Sequence, residues 1–200
     1  IKHTALGRFR HEGAETTIAS DGRLVIYSGD DNRFDYQYKW VSAEPVTDAN
    51  SHFGSSLLSD GTLYVARFNE DGIVDWLPLV HGEGPLTAEN GFESQADIAI
   101  DTRLAADALG ATPMDRPEDA QPGPNGTAYL MLTNNSRRQP DQVDAANPRP
   151  ESRFGHIIEI KEDGGNHSAT RGTWDIVVLC GDPTIEEVGA MWNPETSENG

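Results

Sequence analysis

The sequence is short of several features that would narrow its function at once. It has one cysteine, so no disulfide can form within the chain and the redox compartment stays open. Cys180 lies in the apolar run "WDIVVLCGD" and reads as a buried structural thiol. No apolar stretch approaches the ~20 residues of a membrane span, and no signal peptide is read in the chain. Basic residues are scarce, with 15 Lys and Arg against 33 Asp and Glu and a net charge of −18. That charge repels a phosphate backbone and no basic cluster offsets it, so a nucleic-acid partner is not expected. Such acidity suits a cation-binding protein or a salty environment, and equally a merely soluble surface. Common catalytic signatures are also absent. "HEGAE" (His11 to Glu15) lacks the second histidine of a zinc-protease helix, and there is no P-loop, Gly-x-Ser-x-Gly elbow or complete EF-hand loop. The abrupt start "IKHTALGRF" and the stop at "PETSENG" suggest an internal fragment, expected to be a single domain over residues 1–200.

What is present points to strands. Twenty glycines and 12 prolines at 36% hydrophobic content favour many short strands and turns over a helical bundle. "SDGRLVIY" (Ser20 to Tyr27) and "SDGTLYVA" (Ser59 to Ala66) repeat Ser-Asp-Gly followed by an alternating β-branched and aromatic run, 39 residues apart. Further Asp-Gly turns fall in "NEDGIVDWLPLV" and "KEDGGNHSATRGTWDIVVLCGD". A repeat near ~40 residues made of antiparallel hairpins is the sign of β-propeller blades, with a β-sandwich as the competing all-β answer. The expected class is therefore all-β, a partial propeller with one inserted helix and long loops. That helix is predicted over "SQADIAIDTRLAADALG", with Ala96, Ile100, Leu104 and Ala108 on its apolar stripe, Ser94 as cap and Gly110 as stop. It delivers the proline-rich loop "GATPMDRPEDAQPGPNG" (Gly110 to Gly126), and a second long polar loop runs from Asn134 to Arg153.

The candidate chemistry lies in loop carboxylates and arginines. Glu12 follows His11 before a strand, and Asp30 and Asp31 end the strand "LVIYSG". Arg116 and Glu118 share the proline-rich loop, and His156 opens "HIIEI". Each has an ordinary reading: Asp30 and Asp31 as turn formers, the two histidines as packing residues, Arg116 as one half of a surface ion pair. Together they have another. Carboxylates converging from strand ends suit hard cations, and an arginine beside them grips phosphate or carboxylate in a bidentate manner. Metal plus arginine around a tetrahedral anion is an arrangement for phosphoryl transfer. Similar carboxylates would serve a lactonase-type calcium-dependent hydrolase or a non-catalytic calcium-binding propeller module.

"GRFRHEGA", "YSGDDNRFDYQYKWVS", "GTLYVARFNEDG", "MDRPED", "YLMLTNNS", "NPRPESRFGHIIEI" and "DIVVLCGDP" run in an order that resembles the PhoX-type alkaline phosphatases, from Gly7 to about Asp182. The resemblance implies a phosphomonoesterase on a β-propeller that acts on small-molecule phosphate esters, uses calcium and ferric iron, and is exported to the periplasm or beyond. It further implies Glu12 and Glu118 as metal ligands, Arg116 as the catalytic residue that grips the substrate phosphate, and Asp30 and Asp31 as calcium ligands or supporting contacts. The family's upstream cysteine-bearing motifs and its downstream Pro-Asp-Asn segment have no counterpart here. An incomplete metal centre and self-association through exposed strand edges are therefore expected of this chain alone.

Overall fold

Residues 2–51 and 56–192 are described by the computed structural model, and the closing run 193–200 lies outside them. Ten strands dominate: β1 (His11–Ile18), β2 (Arg23–Asp30), β3 (Gln37–Pro45), β4 (Gly61–Phe68), β5 (Ile73–Pro78), β6 (Pro117–Pro122), β7 (Thr127–Leu132), β8 (His156–Glu162), β9 (Arg171–Leu179) and β10 (Met191–Trp192). All pairings between them are antiparallel. The order is β1-β2-β3-β4-β5-β9-β8-β7-β6, with β10 beside β9. The all-β expectation holds. The sheet is continuous across the successive hairpin groups, and it curls until β6, at one end, lies against β1 and β2 at the other.

The Asp-Gly turns explain two of the hairpins. In Asp21-Gly22 and Asp71-Gly72 the glycines take φ of 84° and 78°. Each aspartate accepts the backbone N–H two residues on, Arg23 or Ile73, at 3.1 Å. That is an Asx-type turn followed by the left-handed residue a tight hairpin needs. The repeated Asp60-Gly61 is different: it ends the longer connection from β3 and opens β4.

Alternation along β2 sorts side chains into two cores. Val25 and Tyr27 face an interior cluster with Val41, Trp76, Leu130, Ile158 and Ile160, enclosed by the curled sheet. Ile26 faces outward to a second cluster with Tyr38, Trp40, Leu63 and Val65, which packs under Ile98, Ala105 and Ala106. Those last three belong to helices.

The expected single helix is two: α1 (Gln95–Ile100) and α2 (Thr102–Leu109). Its ends are as predicted, with the Asp97 N–H on Ser94 Oγ at 3.4 Å and Gly110 left-handed at φ 70°. The break falls at Asp101 (φ −102°, ψ 43°), where the buried Thr102 hydroxyl donates to Ala99 O and accepts the Arg8 N–H. This break corrects the predicted stripe. Ile98, Thr102, Ala105 and Ala106 are buried, whereas Ile100 and Leu104 are 51% and 60% exposed.

The seam of the curled sheet has one strict requirement. Any side chain at Gly29 would collide with the carbonyl oxygens of Pro117 and Glu118, so glycine lets β6 approach β2 directly. The ladder also shifts register between Glu12 and Glu15 and between Pro117 and Ala120. Such irregularities re-aim side chains, and here they flank Glu12 and Glu118.

Candidate active site

Two loops meet at this seam. One follows β2 from Asp31 to Tyr36; the other is the end of the proline-rich loop, entering β6 at Pro117. Phe34 N–H donates to Met114 O and Met114 N–H to Asp35 O, each at 2.9 Å, and Arg33 forms a β-bridge with Asp115. Phe34 and Arg116 both have positive φ, 68° and 54°. Left-handed backbone is uncommon outside glycine, and a residue before proline normally stays extended. Each such residue costs on the order of 1–3 kcal/mol and persists only when its surroundings over-determine it.

The strain presents Arg116 to its partners. Nε donates to Asp31 Oδ1 at 2.9 Å, and Nη2 lies 2.7 Å from Asp31 Oδ1 and 3.1 Å from Glu118 Oε1. Thr133 Oγ1 donates to the same Glu118 oxygen at 2.8 Å, and Arg33 Nη2 donates to Asn134 Oδ1 at 3.2 Å. The side chains of Arg116, Asp31 and Glu118 are 25%, 26% and 28% exposed, so all three reach solvent. A guanidinium has five donor hydrogens, and Nη1 of Arg116 has no protein partner among the described residues.

The other candidates divide. Glu12 is exposed on β1 opposite Gly29 and engages no described side chain, so it faces the same seam as Glu118 with its carboxylate uncommitted. Asp30 is fully buried and already held: Arg103 donates through Nε to Oδ2 at 2.7 Å and through Nη2 to Oδ1 at 2.6 Å, and the Arg10 N–H adds a bond at 3.2 Å. Beside it, burial pushes the Asp35 carboxyl up, with Asp30 and Asp107 adding to the rise against the pull of Asn32 and Arg103.

The histidines are bonded within the fold. His11 pairs with Ser28 Oγ and Gly7 O and stacks on Phe9, and buried His156 pairs with Ala146 O at 2.8 Å. Burial pushes the His156 imidazole down. Cys180 is half-buried just past β9, its carbonyl accepting from Arg149 at 2.8 Å.

Sequence reading missed Thr133, Arg33, Arg103 and Arg138. Thr133 and Arg33 lie inside strings already singled out, "YLMLTNNS" and "YSGDDNRFDYQYKWVS". For Arg103, in the helix, and Arg138, in the polar loop, nothing local marks a role.

The donors suit a hard cation in kind, since carboxylate, hydroxyl and amide oxygens predominate. They do not suffice in number. Among the described residues no three His, Cys, Asp or Glu side chains converge on one point, and Asp31 and Glu118 already share Arg116. The described residues alone assemble no cation cage. What it does assemble is a guanidinium with free donors, held rigidly between two acceptors, which is a fit for an oxyanion.

A family model described as alkaline phosphatase PhoX matches residues 1–199. The chain is also similar to a solved structure of Pseudomonas fluorescens PhoX in complex with vanadate, a transition state analogue, at 40% identity and a TM-score of 0.86. That match covers 92% of this chain and 34% of the other, so the chain spans about a third of that protein's length. No curated protein matches it. The family match over nearly every residue, with a shared fold at this level of identity, means that the chain belongs to the PhoX alkaline phosphatase family.

Proposed function

We propose that this chain supplies the phosphate-gripping part of a metal-dependent phosphomonoesterase, which hydrolyses small-molecule phosphate esters and releases inorganic phosphate. The observation that carries the proposal is Arg116: a strained, doubly braced guanidinium with Nη1 still free to donate. Uncatalysed phosphate monoester hydrolysis is among the slowest of reactions, so a catalyst must stabilise transition-state charge very strongly. A preorganised guanidinium does this without reorganising at the moment of reaction. The related PhoX was solved in complex with vanadate, a transition state analogue and an oxyanion of the kind such a group would bind.

The charge of the cluster supports a requirement for cations. Asp31 and Glu118 outnumber Arg116 two to one, so the site is net negative and would by itself repel a phosphate dianion. Calcium and ferric iron are the hard cations that the family resemblance implies. Glu118, Glu12 and Asp31 are the carboxylates this chain would offer them, alongside ligands from outside it. A bound cation would supply the positive charge that neutralises phosphoryl oxygens. Asp30 supports the site from behind, because its ion pair with Arg103 fixes the backbone that carries Asp31. Export to the periplasm or the medium goes with this reading.

The test uses the protein with its complete chain. Arg116→Ala should lower kcat/KM on an aryl phosphate by about 10²–10³-fold and weaken inhibition by inorganic phosphate. A chelator should abolish turnover of the unmodified protein. An Arg116→Ala protein with unchanged rate and unchanged phosphate inhibition would remove Arg116 from the site. Turnover indifferent to chelation would remove the metals.

A further inference from the structure

The long polar loop between β7 and β8 holds the least expected side chain of the molecule. Arg138 is a charged residue only 2% exposed, and each of its three guanidinium nitrogens has a hydrogen-bond partner. Nε donates to Asp115 Oδ1 at 2.7 Å, Nη2 to Pro113 O at 2.7 Å and Nη1 to Gln142 O at 2.6 Å. Its Cζ stands 5.1 Å from the centre of the Phe34 ring. Two of these contacts are the residues just ahead of Arg116, and the ring belongs to the other left-handed residue of the site. Asn147, on the same loop, completes the collar: its Oδ1 accepts the Asp115 N–H at 2.9 Å and its Nδ2 donates to Pro113 O at 3.2 Å.

We propose that Arg138 is a positioning residue for Arg116, holding its backbone in the left-handed conformation that aims the guanidinium between Asp31 and Glu118. The inference rests on the phosphate-gripping role assigned to Arg116. Burying an arginine–aspartate pair is a poor way to gain stability, because desolvation opposes the attraction and an apolar pair of similar volume often serves as well. What the pair provides here is a fork of fixed geometry. One planar group fixes Pro113 and Asp115 relative to each other and to Phe34, so residue 116 has little freedom left. A lysine keeps the charge but has no fork and cannot reach all three acceptors at once.

The experiment is a double-mutant cycle on the complete protein, with Arg138→Lys, Arg116→Ala and their combination. Turnover of an aryl phosphate is measured together with phosphate binding by calorimetry. R138K alone should lower kcat/KM by about tenfold to hundredfold, the cost of a misplacement near 1 Å, and should weaken phosphate binding. In the R116A background it should change neither further, because the group it positions is gone. R138K within twofold of the unmodified protein would overturn the proposal, as would a full, multiplicative loss in the R116A background, which a merely structural role predicts. Should R138K fail to accumulate, Asp115→Asn keeps the shape and weakens the same contact, and it is read by the same cycle. The two readings fail separately: an unimpaired R116A protein sinks the role of Arg116, whereas an impaired R116A protein with no coupling sinks only the positioning role.

Discussion

Lys39 and Arg116 are both cations set between acceptors, and they contrast. Lys39 lies inside the curled sheet with its side chain and that of Glu162 fully buried, 2.7 Å apart. Its ammonium also donates to Ala169 O at 2.7 Å and stands 4.2 Å from the centre of the Trp76 ring. Glu162 in turn accepts from Tyr27 Oη and Trp76 Nε1, and Tyr27 Oη also meets His167. Neither side chain of that pair reaches solvent. Arg116 is a quarter exposed, braced by two carboxylates on a strained backbone, and its Nη1 has no partner among the described residues. Completed polar networks specify a core, whereas incomplete ones at the surface are available for binding.

The largest effect that would sharpen the contrast is in the sealed network. Glu162→Ala leaves Lys39, Tyr27 and Trp76 without their shared acceptor, and should destabilise this chain by about 3–5 kcal/mol in denaturant unfolding. Next, Asp31→Asn removes a charged acceptor from Arg116. It should lower kcat/KM of the complete protein by an amount corresponding to about 1.5–3 kcal/mol, while the unfolding midpoint of this partly exposed site moves little. A midpoint that fell as far as for Glu162→Ala would erase the distinction.

A smaller effect depends on pH. Burial pushes the Lys39 ammonium down from 10.5 to about 8 against the pull of Glu162, and pushes the Glu162 carboxyl up. A base that titrates lower in the folded chain means that, between about pH 8 and 10, the unfolded chain holds the extra proton, so stability rises with pH. Unfolding at about pH 9.5 should show about 1–2 kcal/mol more stability than at about pH 7.5 from this lysine. Lys39→Met should remove that rise. The smallest effect should come from an ion pair of neither kind: Arg67→Ala breaks an exposed contact with Asp75 and should change stability by less than about 1 kcal/mol.

What the sequence made legible was whatever is decided within a few residues. The Asp-Gly hairpins, the Ser94 cap and the Gly110 stop all follow from short-range backbone chemistry, and the structure has them. The apolar stripe was misread because one helical period was carried through Asp101, where Thr102 bends the chain and turns a different face inward. The Met-Asp-Arg-Pro-Glu string marked Arg116 and Glu118, but its supports are remote. Arg103 reaches Asp30 across 73 positions and Arg138 reaches Asp115 across 23. No local pattern encodes such pairings, since any arginine in a polar stretch looks solvated until the fold encloses it. The loop that holds Arg138 looked as irregular as a disordered one, although it buries that side chain almost completely.

Gly29 carries the last consequence. It has no side chain, donates nothing to a phosphate and would escape any search for functional groups, yet the carbonyls of Pro117 and Glu118 occupy the space its Cβ would need. In a saturation mutagenesis screen scored on turnover, this position should tolerate as little as Arg116 itself. Even alanine there would wedge β6 away from β2 and draw the carboxylate of Glu118 out of line. A map of mutational tolerance would thus show a hot spot where the chemistry is empty, the imprint of two strands meeting at van der Waals distance.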